Sequence, residues 1–173
     1  MSTTNANAAC IDESTQAKFR GNTVLLTGAS GGLGSAMALQ LARCGVHTLV
    51  LSGRQQESLQ AVEDQAKAIY PDLIVHTILC DLNDPASVQQ LAQTALEKCN
   101  GRVDVLINNG GVSSRSRFLD TALEVDEKLL QINFLAGAAL AKAVVPGMVQ
   151  RNHGIVLWIS SVQGLGECFV MRN

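Results

Sequence analysis

At 173 residues, 47% hydrophobic but only 3% aromatic, the chain has the length for one domain whose core is built from small and aliphatic side chains. The formal net charge is −2 with no Lys/Arg block, which excludes the basic patches of nucleic-acid binders and of proteins held on anionic membranes. Five cysteines (Cys10, Cys44, Cys80, Cys99 and Cys168) lie far apart without CxxC spacing, which excludes the usual zinc site and a disulfide framework; reduced thiols in a cytoplasmic protein are the expectation.

Residues 1–21 are polar and rich in Ala, Ser, Thr and Asn, and predict a flexible N-terminal arm without a signal peptide. No stretch reaches roughly 18 consecutive apolar residues, so no membrane span is expected. Val24-Leu25-Leu26 then reads as a buried strand that stops at Thr27-Gly28-Ala29-Ser30-Gly31-Gly32-Leu33-Gly34 and continues into the small-residue helix Ser35–Ala42. A helix start leaves backbone N–H groups unpaired at the positive end of its dipole, and glycines let a phosphate come close to them. The stretch is either a nucleotide pyrophosphate site or a turn that only reverses the chain.

Gly45 stops this helix, and His47–Ser52 is the second strand. Leu59, Val62, Ala66 and Ile69 mark an amphipathic helix ended by Pro71, and Leu73–Leu79 is the third strand. Asp84-Pro85 places a capping carboxylate before a proline at the first helical position, opening a helix whose stripe is Val88, Leu91, Ala92, Ala95, Leu96 and Cys99. Val103–Ile107 is the fourth strand, closed by Asn108-Asn109-Gly110-Gly111; a polar loop leads to a long helix over Val125–Val149. Ile155–Ile159 is the fifth strand, with Ser160-Ser161 at its end. Strands separated by helices of this length predict a parallel, doubly wound α/β sheet, whose ligands bind beyond the carboxyl ends of the strands. The glycine turn, Ser52, Asp81, Asn108-Asn109 and Ser160-Ser161 all fall at those ends.

These residues resemble one family, the classical short-chain dehydrogenase/reductases. Thr27-Gly28-x-x-x-Gly32-x-Gly34 resembles the T-G-x-x-x-G-x-G turn of that family rather than the G-x-G-x-x-G fingerprint, and implies a cofactor cradle formed by Gly28, Ser30, Gly32, Leu33 and Gly34. Asp81-Leu82 resembles the acidic segment that binds the adenine amino group. Asn108-Asn109-Gly110-Gly111 resembles N-N-A-G with glycine replacing alanine, and implies that Asn109 lines the cofactor cleft. Asn133 resembles the helix asparagine of the catalytic tetrad, and Ser161 the catalytic serine. Asp120-Thr121, Val125-Asp126 and Ser161-Val162-Gln163-Gly164 resemble the dehydrogenase/reductase member-seven branch. The resemblance spans residues 22–165 as a dinucleotide-binding Rossmann-type domain; residues 166–173 diverge from it.

Alternatives stay open at single positions. Asp81 could cap a turn, and Asn108 and Asn109 are good turn residues. At the end of the second strand, Ser52-Gly53-Arg54 carries no carboxylate to accept from a ribose hydroxyl. Arg54 can instead pair with a 2′-phosphate, which favours NADP(H) over NAD(H), or it is a surface arginine opening a helix. The family's chemistry uses a tyrosine and a lysine four residues later, yet the sole tyrosine is Tyr70 and Ile74 stands four residues on. The expectation is a C-terminally truncated, incomplete sheet of about five strands that binds nicotinamide dinucleotide but does not turn over a carbonyl or alcohol substrate. The alternative is a non-catalytic nucleotide- or partner-binding module. Homo-oligomerisation through the long helix is implied by the resemblance alone.

Overall fold

The sheet is laid out around β1 (Thr23–Thr27), every residue of which is buried. The computed structural model describes residues 12–114 and 116–161. On one side β1 pairs in parallel with β2 (Thr48–Gly53), which pairs with β3 (Ile74–Leu79). On the other it pairs with β4 (Val105–Asn108), which pairs with β5 (Ile155–Trp158). The order is β3-β2-β1-β4-β5, all parallel, as the strand–helix alternation predicts. The chain winds outward from β1 to β3 and then crosses back to β4, so the order reverses between β1 and β4. That is where a crevice opens in a doubly wound sheet.

Alternate strand residues face opposite layers. Leu26 and Leu51 pack with Ala38 and Leu41 of α2 (Gly32–Arg43) and Leu59 of α3 (Gln56–Ile69). Leu25, Val50 and Leu106 pack with Leu91 of α4 (Pro85–Lys98) and with Leu140 and Val144 of a later helix. With both faces covered, β1 and β2 are continuous apolar runs, which made them legible. Helix α4 begins at Pro85, with Asp84 accepting from the Ala86 N–H at 2.9 Å.

The structure adds to or departs from the expectations at four points. First, part of the 1–21 arm is ordered: Glu13–Phe19 form α1, because Asp12 accepts from the Thr15 N–H and hydroxyl at 3.0 and 2.7 Å and from the Ser14 hydroxyl. The Ser14 bond, then those of Thr15, hold the Asp12 carboxyl well below the usual carboxylate range. Phe19 packs against the core of the α2–α3 layer. Second, the helix predicted over Val125–Val149 is three pieces: α5 (Leu123–Leu130), a π-helical turn (Gln131–Leu135) and α6 (Ala136–Gln150).

Third, Leu123–Gln150 is by length and composition apolar enough to cross a membrane, its mean hydropathy reaching 1.6. A count of consecutive apolar residues missed it because Gln131, Asn133 and Lys142 interrupt the run. In this fold Ala136, Gly137, Leu140, Val144 and Met148 are buried, while Leu130, Phe134, Leu135 and Val149 are exposed. Fourth, β4 is displaced toward Asn108 relative to its predicted span. Among the described residues β5 is a sheet edge, with Val156, Leu157, Trp158 and Ile159 exposed. The predicted tail 166–173 and the motif residues Val162, Gln163 and Gly164 lie outside the described residues.

At the amino ends of the strands, Asp104 is fully buried and ties three of them together. Its carboxylate accepts from the Thr23 N–H at 3.0 Å and from Arg102 Nε at 2.9 and 3.0 Å, with Arg151 at 3.7 Å. Its backbone N–H donates to Thr23 O, and its carbonyl accepts from the Ile155 N–H. Removing the carboxylate strands a buried N–H, which costs about 1–3 kcal/mol, in addition to the lost ion pair. Asp104→Ala is therefore expected to destabilise the fold by about 2–4 kcal/mol in urea titrations. An unchanged midpoint would refute this role.

Candidate functional site: a cleft at the carboxyl ends of the strands

Three backbone segments meet above β1. Gly28 sits at φ +64°, where an L side chain is strained, and a Cβ there would lie 2.7 Å from the Gly110 Cα. A Cβ at Gly34 would strike the Gly28 carbonyl and lie 2.9 Å from Ala29 Cα and from Asn109 Nδ2. The loop after β1, the first turn of α2 and the loop after β4 are thus packed backbone to backbone. Gly31 precedes α2 with no side chain to cap it, so the first amides of the helix, at Gly32, Leu33 and Gly34, face the cleft without a capping side chain. The space a side chain would fill is left for a ligand, and the dipole there favours an anion.

The junction is held by Thr27 and Asn109. The Thr27 hydroxyl accepts from the Asn109 and Gly110 N–H groups at 3.1 and 3.0 Å and donates to Ile107 O at 3.4 Å. In return Asn109 Nδ2 donates to the Thr27 and Gly28 carbonyls at 3.0 and 3.1 Å. Asn109 thus shapes the cradle from beneath. Neighbouring Asn108 is buried, with its Oδ1 lacking a partner among the described residues.

Ser52 is the next-to-last residue of β2, its carbonyl accepting from the Ala29 N–H at 2.9 Å, and the Ser30 hydroxyl lies beside Gly53. Arg54 follows, exposed on the cleft rim, with no ion pair among the described residues. After β3, Cys80 lies in the cleft wall with its thiol pKa pushed up by burial, which keeps it protonated and a poor nucleophile. Asp81 does cap a turn: its Oδ1 accepts from the Asn83 N–H at 2.9 Å. It also lines the cleft with Leu82.

The other wall is built from the π-helical turn and β5. Asn133 is bracketed onto the loop after β4, its Oδ1 accepting from the Val112 N–H and its Nδ2 donating to Val112 O, both at 2.8 Å. That pairing answers why an amide stands among Ile132, Phe134 and Leu135. The Trp158 indole N–H donates to the Asn133 carbonyl at 3.3 Å, and its ring stacks on Phe134 at 5.9 Å. Ser160 and Ser161 stand at the β5 end of the same cleft. All eleven site residues expected from the sequence (Gly28, Ser30, Gly32, Leu33, Gly34, Arg54, Asp81, Leu82, Asn109, Asn133 and Ser161) line one cleft of about 870 Å³. Thr27, Val112, Gln131 and Trp158 were missed as site-building residues. Thr27 was legible as the first letter of the glycine motif, whereas nothing local signals the others. Among the described residues no group of three or more His, Cys, Asp or Glu could hold a metal ion.

A parallel sheet with a glycine-lined helix start at its switch point defines a Rossmann-type α/β fold. The short chain dehydrogenase family model matches residues 22–172, and the chain belongs to that family. It is 39% identical over 153 residues to dehydrogenase/reductase SDR family member 7B of Bos taurus, and 37% identical over 146 residues to member 7 of Homo sapiens. These matches cover 86% and 82% of the chain, and place it in the member-seven branch its motifs resemble. It spans only 46% and 42% of those relatives' lengths. Among solved structures, a short-chain dehydrogenase from Sphingobium yanoikuyae in complex with NADPH matches with TM-score 0.77 at 34% identity, covering 86% of this chain and 57% of that one. A metagenomic short-chain oxidoreductase in complex with NADP matches with TM-score 0.77 at 31% identity, covering 86% and 66%.

Gly34→Ala forces a methyl into the Gly28 carbonyl and is expected to abolish dinucleotide binding and lower the melting temperature, read by calorimetry and thermal melts. Binding retained by this variant would show that the α2 start is not the cradle.

Proposed function

We propose that this cleft binds NADP(H), pyrophosphate on the α2 start, and that the lineage activity is NADP(H)-dependent interconversion of a carbonyl and an alcohol. The observation that carries this is the backbone cradle, in which Gly28 and Gly34 vacate the space a phosphate needs while Thr27 and Asn109 hold its two sides. The bound dinucleotide would supply or accept the hydride. Ser161 would hydrogen-bond the substrate oxygen, and Asn133 would hold the wall at Val112.

NADP(H) over NAD(H) rests on Arg54. β2 ends in Ser52-Gly53 with no carboxylate to repel a 2′-phosphate, and the guanidinium on the rim is free to fork onto one. The two solved relatives bound to NADPH and NADP support the preference. A charge-assisted pair at an exposed rim is expected to make NADPH bind about tenfold more tightly than NADH, with Arg54→Ala abolishing the difference. Equal affinities in the unmodified protein would refute the Arg54 role.

The second reading is a non-catalytic nucleotide- or partner-binding module. It is favoured by the position of Tyr70, the one tyrosine, which lies at the far end of α3 and outside the cleft. Among the described residues that line the cleft there is no tyrosine or lysine to exchange a proton with a carbonyl oxygen near neutral pH. The 173 residues alone are expected to bind NADPH without oxidising it on addition of aldehydes or ketones. Turnover that Ser161→Ala abolishes would overturn the non-catalytic reading.

A further inference from the structure

The π-helical turn Gln131–Leu135 is joined to three separate strand ends. Asn133 grips Val112 after β4, and its carbonyl takes the indole N–H of Trp158 at the end of β5. The third link is less expected: Gln131 Nε2 donates to the Leu82 carbonyl, in the loop after β3, at 3.2 Å. π-Helical turns recur at functional sites because the wider ring redirects side chains.

The other hydrogen bonds of the Asp81-Leu82 loop found among the described residues run toward α4. The Asp81 N–H donates to Ser87 Oγ at 3.0 Å, the Asn83 N–H to Asp81 Oδ1 at 2.9 Å, and the Asp84 N–H to Asp81 O at 3.0 Å. All of these partners lie within six residues of Asp81. From the cleft side, the hydrogen bond found among the described residues comes from Gln131, 49 residues away. Leu82 also fills the space beside Gly110: a Cβ on that glycine would lie 2.5 Å from Leu82 Cδ1 and 3.3 Å from the Gly28 N. The height of the Leu82 loop therefore sets the width of the cleft next to the cradle.

We infer that Gln131 is a positioning residue for the adenine half of the dinucleotide, acting through the Leu82 carbonyl to hold the Asp81-Leu82 wall against the cleft. The assignment rests on the dinucleotide reading above. It also gives the π-helical turn two jobs, since Asn133 in the same element, with Trp158 of β5 bonded to its carbonyl, holds the opposite end of the cleft.

The test uses the full 173-residue chain, isothermal titration and three probes: NADPH, adenosine 2′,5′-bisphosphate for the adenine half, and reduced nicotinamide mononucleotide for the other half. Gln131→Met keeps the length of the side chain and removes the donor. It is expected to weaken NADPH and adenosine bisphosphate by the same factor, roughly fivefold for one neutral hydrogen bond, and to leave the mononucleotide unchanged. Gln131→Lys restores a donor and is expected to keep all three affinities, so it carries the comparison if the methionine variant does not fold. Unmodified protein that binds none of the probes would overturn the dinucleotide reading and this inference together. Unmodified protein that binds all three, with Gln131→Met binding them equally well or losing both halves equally, would overturn the inference alone. A lysine variant as impaired as the methionine one would do the same.

Discussion

The reciprocal pairing of Thr27 with Asn109 is the interaction on which the site depends. One hydroxyl takes two N–H groups from the loop after β4, and one carboxamide returns two N–H bonds to the carbonyls after β1. Both partners sit at the sheet's reversal point, where adjacent loops diverge and a doubly wound sheet would otherwise splay. Because four hydrogen bonds close there, Gly28 can lie on Gly110 and Gly34 on Gly28 without intervening side chains. Each bond is worth only about 1 kcal/mol, but together they hold backbone amides in place before a ligand arrives. Preorganisation of that kind lowers the ordering cost of binding.

The two ends of the strands do different work with the same economy of charge. At the amino ends a single buried carboxylate, Asp104, is satisfied by a backbone N–H and two arginines, and joins β1, β4 and β5. At the carboxyl ends no acid is buried among the described residues; the cleft is lined by glycines, hydroxyls and amides together with Leu33, Leu82, Val112, Ile132 and Trp158, with Asp81 and Arg54 at its rim. An anionic ligand therefore meets backbone dipoles at the centre of the site and formal charges only at its edges. Between the two ends, β1 and β2 are sealed on both faces, so the register set at Asp104 is carried rigidly to Thr27 and Ser52.

Much of this was legible in the sequence because it is written locally. Continuous apolar runs marked the buried strands, and Asp84-Pro85 marked the start of α4 to the residue. The glycine turn, Asp81 and Asn109 were found as motifs, and the sheet order explains why they converge. What escaped notice depends on distance or on fine helical geometry. Nothing near Thr27 states that its partner lies 82 residues on. A π-helical turn leaves the apolar pattern of a long helix nearly unchanged, so nothing set Gln131 apart. Helix α1 was missed because its stability comes from the Asp12, Ser14 and Thr15 cap rather than from an apolar stripe. Asp81 shows a different limit: the sequence posed turn cap against ligand contact as alternatives, and the geometry shows the cap on a residue that also stands in the cleft wall.

The central claim is that a preformed backbone cradle receives the pyrophosphate. Amide resonances of the isotopically labelled chain, followed during NADPH titration, test it most directly. The account expects the largest shifts at Gly31, Gly32, Leu33 and Gly34, with smaller ones at Gly110 and Gly111 and little change at the Asp104 end of the sheet. Saturable binding whose shifts fall elsewhere, with the Gly31–Gly34 amides unmoved, would contradict it.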